Sequence, residues 1–147
     1  MRGVKTPDPA EADGGCHCGA VRFHVKLKGG LAAARRCNCS ICRMRGAVAL
    51  TADLADFKVT RGEETLCCYR FNTGTAEHYF CSVCGIYTHH QRRSNPGEYG
   101  INAACLDGVS PFDFEEVVVI DGEHHPRDEP SGEPRPPVGL LKFVPGR

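Results

Sequence analysis

Seven of the ten cysteines in this 147-residue chain fall into three closely spaced groups. They are Cys16-x-Cys18, Cys37-x-Cys39-x-x-Cys42 and Cys81-x-x-Cys84. Cysteines this close can place several sulfur atoms on one metal ion; four thiolates close a tetrahedral site, and three leave one position for an exchangeable ligand. Groups of two, three and two therefore predict one closed metal site and one open site, and ligand exchange or chemistry would occur at the open one.

The first and last groups predict a structural zinc site, which we call the tetrad (Cys16, Cys18, Cys81 and Cys84). The last pair has the form of a zinc knuckle, and the Gly85 that follows it can adopt a positive φ. Four sulfurs at about 2.3 Å are a common structural zinc set, and closing so long a loop stabilises the folded chain. Four alternatives stay open: a reducible disulfide, thiols that are close by chance, an iron–sulfur cluster, and His17 in place of one sulfur.

The middle group, which we call the triplet (Cys37, Cys39 and Cys42), predicts the open site. Three protein ligands and an exchangeable position are typical of a catalytic zinc. Because soft donors suit a zinc ion that already has three thiolates, another thiolate is its natural fourth ligand. The alternative is a second structural zinc whose fourth ligand is Cys67, Cys68 or Cys105.

Four arginines flank the triplet: Arg35, Arg36, Arg43 and Arg45. Nearby cations favour the thiolate form of cysteine and would attract a thiol that carries carboxylates. We therefore predict that Arg35, Arg36 and Arg43 bind such a thiol. The alternative is that these arginines form a solvated face without a ligand.

Other potentially reactive residues show no comparable pattern. Cys67 and Cys68 are adjacent in a predicted strand, so their side chains point to opposite faces and do not easily share one ion. One of His89 and His90 can face a site, although a partly exposed histidine is the favoured interpretation. His124 and His125 are expected in solvent beside a proline. Three aspartates also lack a pattern that marks a general base: Asp13, Asp107 and Asp121.

The elements that position these residues are predicted to be short strands, because apolar and polar residues alternate between Gly- and Pro-containing turns. Strands are predicted at 21–25, 31–35, 47–50, 57–60, 66–71, 77–80, 86–89, 99–102, 117–120 and 140–144, with a short helical turn at 39–43. The pattern favours a mostly β single domain over residues 14–125, with a zinc-ribbon-like knuckle at the last cysteine pair. Residues 1–13 are expected to be a loose lead-in. Residues 126–147 are expected to form a proline-rich extended arm with a possible final strand.

Composition excludes several classes of protein. Lys plus Arg is 18 and Asp plus Glu is 18, so the formal net charge is 0, which gives no support to nucleic-acid or membrane-surface binding. The first residues contain no apolar core of a signal peptide, and no apolar stretch approaches the ~20 residues of a membrane helix. We therefore expect a cytoplasmic protein with reduced thiols, in which clustered cysteines bind metal.

The three cysteine groups, in this order and with their neighbours, resemble the glutathione-dependent formaldehyde-activating (GFA) family, which includes the domain of centromere protein V. The resemblance runs from about Gly14 to Ile120 and includes Ile101-Asn102 with Leu106-Asp107. Two positions depart from the family pattern: members often carry His in place of Asn38, and a small or hydroxyl residue in place of Cys105.

The resemblance implies a fold of twisted, stacked antiparallel β-sheets with two zinc ions. The tetrad would hold the structural zinc, and the triplet would hold the labile or catalytic one. The family activity joins formaldehyde to glutathione to give S-(hydroxymethyl)glutathione, and it is classed as a carbon–sulfur lyase. The expected partners are thus a small thiol and a small aldehyde. The alternative is a non-catalytic zinc-binding module for protein interaction or metal storage.

Overall fold

The structure of the protein is a computed structural model, which describes residues 10–146. Eleven short strands and one α-helix form the regular structure of this part of the chain. The helix is α1 (Ser40–Arg45). The strands are β1 (Glu11–Gly15), β2 (Arg22–Lys26), β3 (Arg35–Cys37), β4 (Ala49–Asp53), β5 (Phe57–Arg61), β6 (Leu66–Tyr69), β7 (Glu77–Cys81), β8 (Tyr87–Gln91), β9 (Glu98–Asn102), β10 (Glu116–Ile120) and β11 (Gly139–Lys142).

The strands form two sheets, so the predicted mostly β fold is confirmed. One sheet has three antiparallel strands in the order β1-β2-β5, and the other has eight in the order β11-β10-β3-β4-β9-β8-β7-β6. The large sheet is antiparallel except where β10 lies parallel to β3, with Ile120 opposite Cys37. Because parallel strands end at the same edge of a sheet, the residues after Ile120 emerge beside the residues after Cys37.

The core lies between the two sheets. Phe23 of the small sheet and Leu50 and Ile101 of the large sheet are almost wholly inaccessible to solvent and belong to one apolar cluster. Phe57 joins the sheets, since its ring lies 4.9 Å from that of Phe23 and 4.2 Å from that of His89. Apolar side chains on alternating positions of short strands therefore hold the sheets face to face.

The histidine pair at the end of β8 divides between two environments. His89 is only 3% exposed and lies in this core, so the interpretation of a partly exposed histidine is wrong for it. Burial lowers the pKa of His89 to about 3, which keeps its ring neutral. His90 is half-buried on the opposite face of the sheet, where it lines a cavity.

Two local predictions differ from the structure. The small sheet begins at Glu11, which pairs with Lys26, so regular structure starts before the end of the predicted lead-in; residues 1–9 of that lead-in lie outside the described residues. The prediction of a strand at 31–35 is wrong, because Gly29 and Gly30 take φ of 79° and 57° and begin a 3-10 helix. The strand that leads into the triplet starts only at Arg35.

Each of the remaining predicted strand regions overlaps an observed strand, and the predicted helical turn at 39–43 lies within α1 and its N-terminal cap. The predicted final strand is also present, because β11 pairs antiparallel with β10 at the edge of the large sheet. None of the helices in residues 10–146 has the length and apolar character needed to cross a membrane.

Because the core lies between the two sheets, the stability of the fold should depend on the buried side chains of β9. Replacing the fully buried Ile101 by Ala leaves a cavity between the sheets, and we expect unfolding free energy to fall by about 2–5 kcal/mol. The matched control is Val138→Ala, because Val138 is 55% exposed and its loss should change stability by less than about 0.5 kcal/mol. Urea unfolding of both metal-loaded variants measures the difference in their unfolding free energies. Equal losses of unfolding free energy in the two variants would contradict the assigned core.

Candidate metal centres and active site

The sulfur atoms of the tetrad gather at one point. All four lie within 4.8 Å of one another, with 3.6 Å between Cys16 Sγ and Cys18 Sγ and 3.8 Å between Cys18 Sγ and Cys81 Sγ. Four thiolates at about 2.3 Å from a tetrahedral metal would be about 3.8 Å apart, whereas a disulfide needs about 2.05 Å. The tetrad therefore has the spacing of metal ligands, and all ten cysteines are free of disulfides. His17 is exposed and is not a member of the group.

Backbone turns shape the tetrad. At the end of β7 the chain turns through Gly85, whose φ is 76° and whose N–H donates to the Cys81 carbonyl at 2.8 Å. Backbone N–H groups also donate to sulfur, from Val83 to Cys81 Sγ and from Val21 to Cys16 Sγ, both at 3.3 Å. Donors of this kind stabilise thiolates, so the knuckle favours the form of cysteine that binds metal.

The triplet lies where β3 passes into α1. Cys37 ends the strand, Cys39 is the N-cap of the helix, and its sulfur accepts the N–H of Cys42 at 3.4 Å. The three sulfurs lie within 4.8 Å of one another, and no fourth Cys, His, Asp or Glu among residues 10–146 joins them. The alternative in which another cysteine completes the triplet is therefore not supported. The candidates for that role were Cys67, Cys68 and Cys105.

The three thiols of the triplet cannot all ionise without a cation. The thiols of Cys37 and Cys42 donate hydrogen bonds that lower the pKa of Cys39 to about 2. The same contacts raise the pKa of Cys37 far above its ordinary value, because a second negative charge beside Cys39 is unfavourable. A soft divalent cation would remove this conflict, so the donor set fits zinc or a similar metal.

A second segment packs against the triplet because β10 runs parallel to β3. The side-chain oxygen of Asn38 accepts hydrogen bonds from the backbone N–H groups of Gly122 and Glu123, at 2.7 and 3.0 Å. A Cβ atom at Gly122 would overlap Cys37 Sγ and would lie 2.8 Å from Cys39 Cβ. Asn38 and Gly122 thus hold this segment against the sulfurs. No sequence pattern indicates that role, because it depends on pairing between distant strands.

The triplet opens on a cavity of about 940 Å³. Its other walls come from β7, β8 and β9, from His125, and from the proline-rich arm, which contributes Pro126, Asp128, Gly132, Pro134 and Arg135. Arg93 donates to both carboxylate oxygens of Asp128, at 2.5 and 3.0 Å, and so ties the arm to the large sheet. The prediction of a solvated His125 is wrong in part, because this residue is half-buried and lines the cavity, whereas His124 is exposed.

Seven arginines line the cavity and divide into two sets. Three have carboxylate partners: Arg92 with Glu98, Arg93 with Asp128, and Arg135 with Glu129. The other four make no ion pair within residues 10–146, and they are Arg35, Arg36, Arg43 and Arg45. Burial lowers the pKa of Arg35 to about 10, but leaves it protonated at neutral pH. The arginines predicted from the sequence are thus the ones left without a counterion.

The other residues considered in the sequence lie elsewhere. Cys67 and Cys68 are on β6, at the edge of the large sheet. Cys105 is buried and its thiol donates to the Tyr87 carbonyl at 3.4 Å, so its environment is that of a small apolar side chain. Three aspartates bind neighbouring basic side chains: Asp13 binds His24, Asp107 binds Arg22, and Asp121, which lines the cavity, binds His124.

The close approach of Gly122 predicts a selective defect. Gly122→Ala should displace the segment after β10 and distort the triplet, so metal bound there should be lost while metal at the tetrad is kept. The control is Gly139→Ala, because a Cβ atom at Gly139 would meet no atom within 4 Å. Metal analysis of both purified variants provides the test. A Gly122→Ala variant with the same metal content as the control would contradict this packing.

Comparison with known proteins identifies the family to which the chain is similar. The sequence model of the family described as glutathione-dependent formaldehyde-activating enzyme matches residues 11–119. A protein of Halomonas elongata that is provisionally named as such an enzyme is 40% identical over 81 residues, which cover 49% of this chain and 50% of that protein. The chain thus spans about half the length of this curated relative.

A crystal structure of a Rhodobacter sphaeroides protein from a structural genomics programme has a similar fold. The two structures superimpose with a TM-score of 0.72, and their sequences are 61% identical. The match covers 73% of this chain and 98% of the Rhodobacter chain. The family match covers most of the chain and includes the tetrad, the triplet and all four unpaired arginines. The chain therefore belongs to the glutathione-dependent formaldehyde-activating enzyme family.

Proposed function

We propose that this protein is a zinc-dependent enzyme of the carbon–sulfur lyase type that joins a glutathione-like thiol to formaldehyde, in the cytoplasm. The sulfur of the thiol forms a bond to the aldehyde carbon, the C=O π electrons move to oxygen, and the proton lost by the thiol ends on that oxygen. The product is a hemithioacetal such as S-(hydroxymethyl)glutathione. The family match and the name of the Halomonas relative support this substrate pair.

The observation that carries the proposal is the three-sulfur cluster at the wall of a cationic cavity. The tetrad would hold a structural zinc, because four thiolates leave no open position. The triplet would hold the second zinc, whose charge favours the thiolate form of a fourth sulfur ligand. Three protein donors and an accessible cavity are what a site for an added thiol requires.

The residues of the cavity can bind and enclose such a thiol. The cavity has a volume of about 940 Å³, which suits a ligand of tripeptide size. This is at the upper end of the range of small-molecule sites, about 300–1,000 Å³. Arg35, Arg36 and Arg43 have no carboxylate partner in the described residues, so they are available to bind carboxylates of the thiol. The proline-rich arm forms one wall of the cavity.

A cysteine substitution tests whether the triplet carries the reaction. We expect Cys39→Ser to abolish thiol-dependent formaldehyde consumption and to remove one metal per chain, because it destroys the open sulfur site. Cys68→Ser is the matched control, since Cys68 is exposed on β6 and belongs to neither cluster. If Cys39→Ser retains turnover, the enzymatic proposal fails. If the wild-type protein binds no thiol and has no turnover, a non-catalytic module for protein interaction or metal storage is favoured.

An arginine substitution tests how the thiol is held. Arg36→Gln should raise KM for glutathione about tenfold and change kcat less, because it removes a charge-assisted contact to a carboxylate. Arg127→Gln is the control, since Arg127 is exposed on the arm and does not line the cavity. Steady-state kinetics with glutathione and with a thiol that lacks carboxylates separates the two effects. An equal rise in KM for both thiols would contradict a carboxylate-binding role.

A further inference from the structure

Arg45 also lines the cavity, but its guanidinium is held by contacts within the protein, and one of these contacts is with a sulfur of the triplet. It lies over the ring of Tyr87, 3.7 Å from the ring centroid. It also donates to Nδ1 of His78 at 3.0 Å and to Nδ1 of His90 at 3.3 Å. Its fourth contact is Cys42 Sγ, at 3.6 Å. Strands β7 and β8 therefore fix the guanidinium beside the triplet.

Three of these four contacts are with neutral groups. Each histidine accepts at Nδ1, so its proton is on Nε2 and the ring carries no charge. The Tyr87 hydroxyl donates to the same Nδ1 of His90 at 2.5 Å, which gives that nitrogen a second donor. The Tyr87 ring offers only its π face. Among its contacts, the sulfur of Cys42 is therefore the single group that can carry the negative charge to balance Arg45.

The formal charges agree with this assignment. Three thiolates and a divalent ion carry a net charge of −1, and a fourth thiolate would make it −2. The guanidinium of Arg45 reduces these values to 0 and −1. A centre that must accept an anionic sulfur thus gains a fixed positive charge without using its open position, in a half-buried place where charge is poorly screened.

We propose that Arg45 is a positioning residue that supplies the countercharge of the triplet, and that the anchoring of substrate belongs to the other arginines. The inference rests on the proposed second metal site. It assigns to Arg45 a role through Cys42 and not through contact with the thiol. Substitution of residues that support metal ligands typically weakens metal binding by about 10–100-fold, and we expect a loss of that size.

The test uses the full chain with zinc at the tetrad and Co(II) titrated into the triplet, followed by the sulfur-to-cobalt charge-transfer absorption. Arg45→Met keeps an apolar stem over Tyr87 but removes the charge, so Co(II) should bind about 10–100-fold more weakly. Arg45→Lys keeps the charge and should bind Co(II) much more tightly than Arg45→Met. Arg127→Met, a charge loss at an exposed residue of the arm that does not line the cavity, should bind like the wild type.

Each outcome is decisive. Equal Co(II) affinity of Arg45→Met and the wild type would overturn the inference, as would equal losses of Co(II) affinity in Arg45→Met and Arg127→Met. An Arg45→Lys variant as weak as Arg45→Met would show that the shape of the guanidinium, and not its charge, matters. If Arg45→Met does not fold, Arg45→Gln carries the same comparison. Absence of Co(II) uptake at the wild-type triplet would overturn the inference and the proposed second metal site together, which distinguishes it from failure of the Arg45 role alone.

Discussion

Repulsion between neighbouring thiolates is the constraint on which this structure depends. Seven sulfur atoms are gathered into two groups in which all distances are below 4.8 Å, and at that spacing several negative charges cannot coexist without compensation. The chain provides part of the compensation through backbone N–H groups at both clusters and through Arg45 at the triplet. A bound cation would provide the rest and would couple metal binding to the folded state of the chain.

The two clusters connect different parts of the fold. The tetrad joins the turn between β1 and β2 to the hairpin of β7 and β8, so it connects the small sheet to the large one. The triplet is formed within one short segment, which is supported by the segment after β10 and, through Arg45, by β7 and β8. One cluster thus resists opening of the sandwich, while the other is free to present a coordination position to the cavity. This placement is what the proposed division into a structural and a reactive site would require.

Much of this arrangement could be predicted from sequence because its signals are local. The spacing of the cysteines gives both clusters, and alternation of apolar residues gives most strands, since each pattern is read within a few neighbours. The 3-10 helix after Gly29 was missed because a run of alanines suits several conformations. The walls of the cavity were also missed: Arg92, Arg93 and His125 become neighbours of the triplet only through the sheet order and the parallel pairing of β10 with β3.

The central claim is that the two clusters bind metal with unequal coordination. Cadmium prefers the same soft ligands as zinc, and ¹¹³Cd NMR of the cadmium-substituted protein reports each metal separately. We predict two ¹¹³Cd resonances, of which addition of glutathione shifts one and leaves the other in place. A single resonance, or two resonances that glutathione leaves unchanged, would contradict the account.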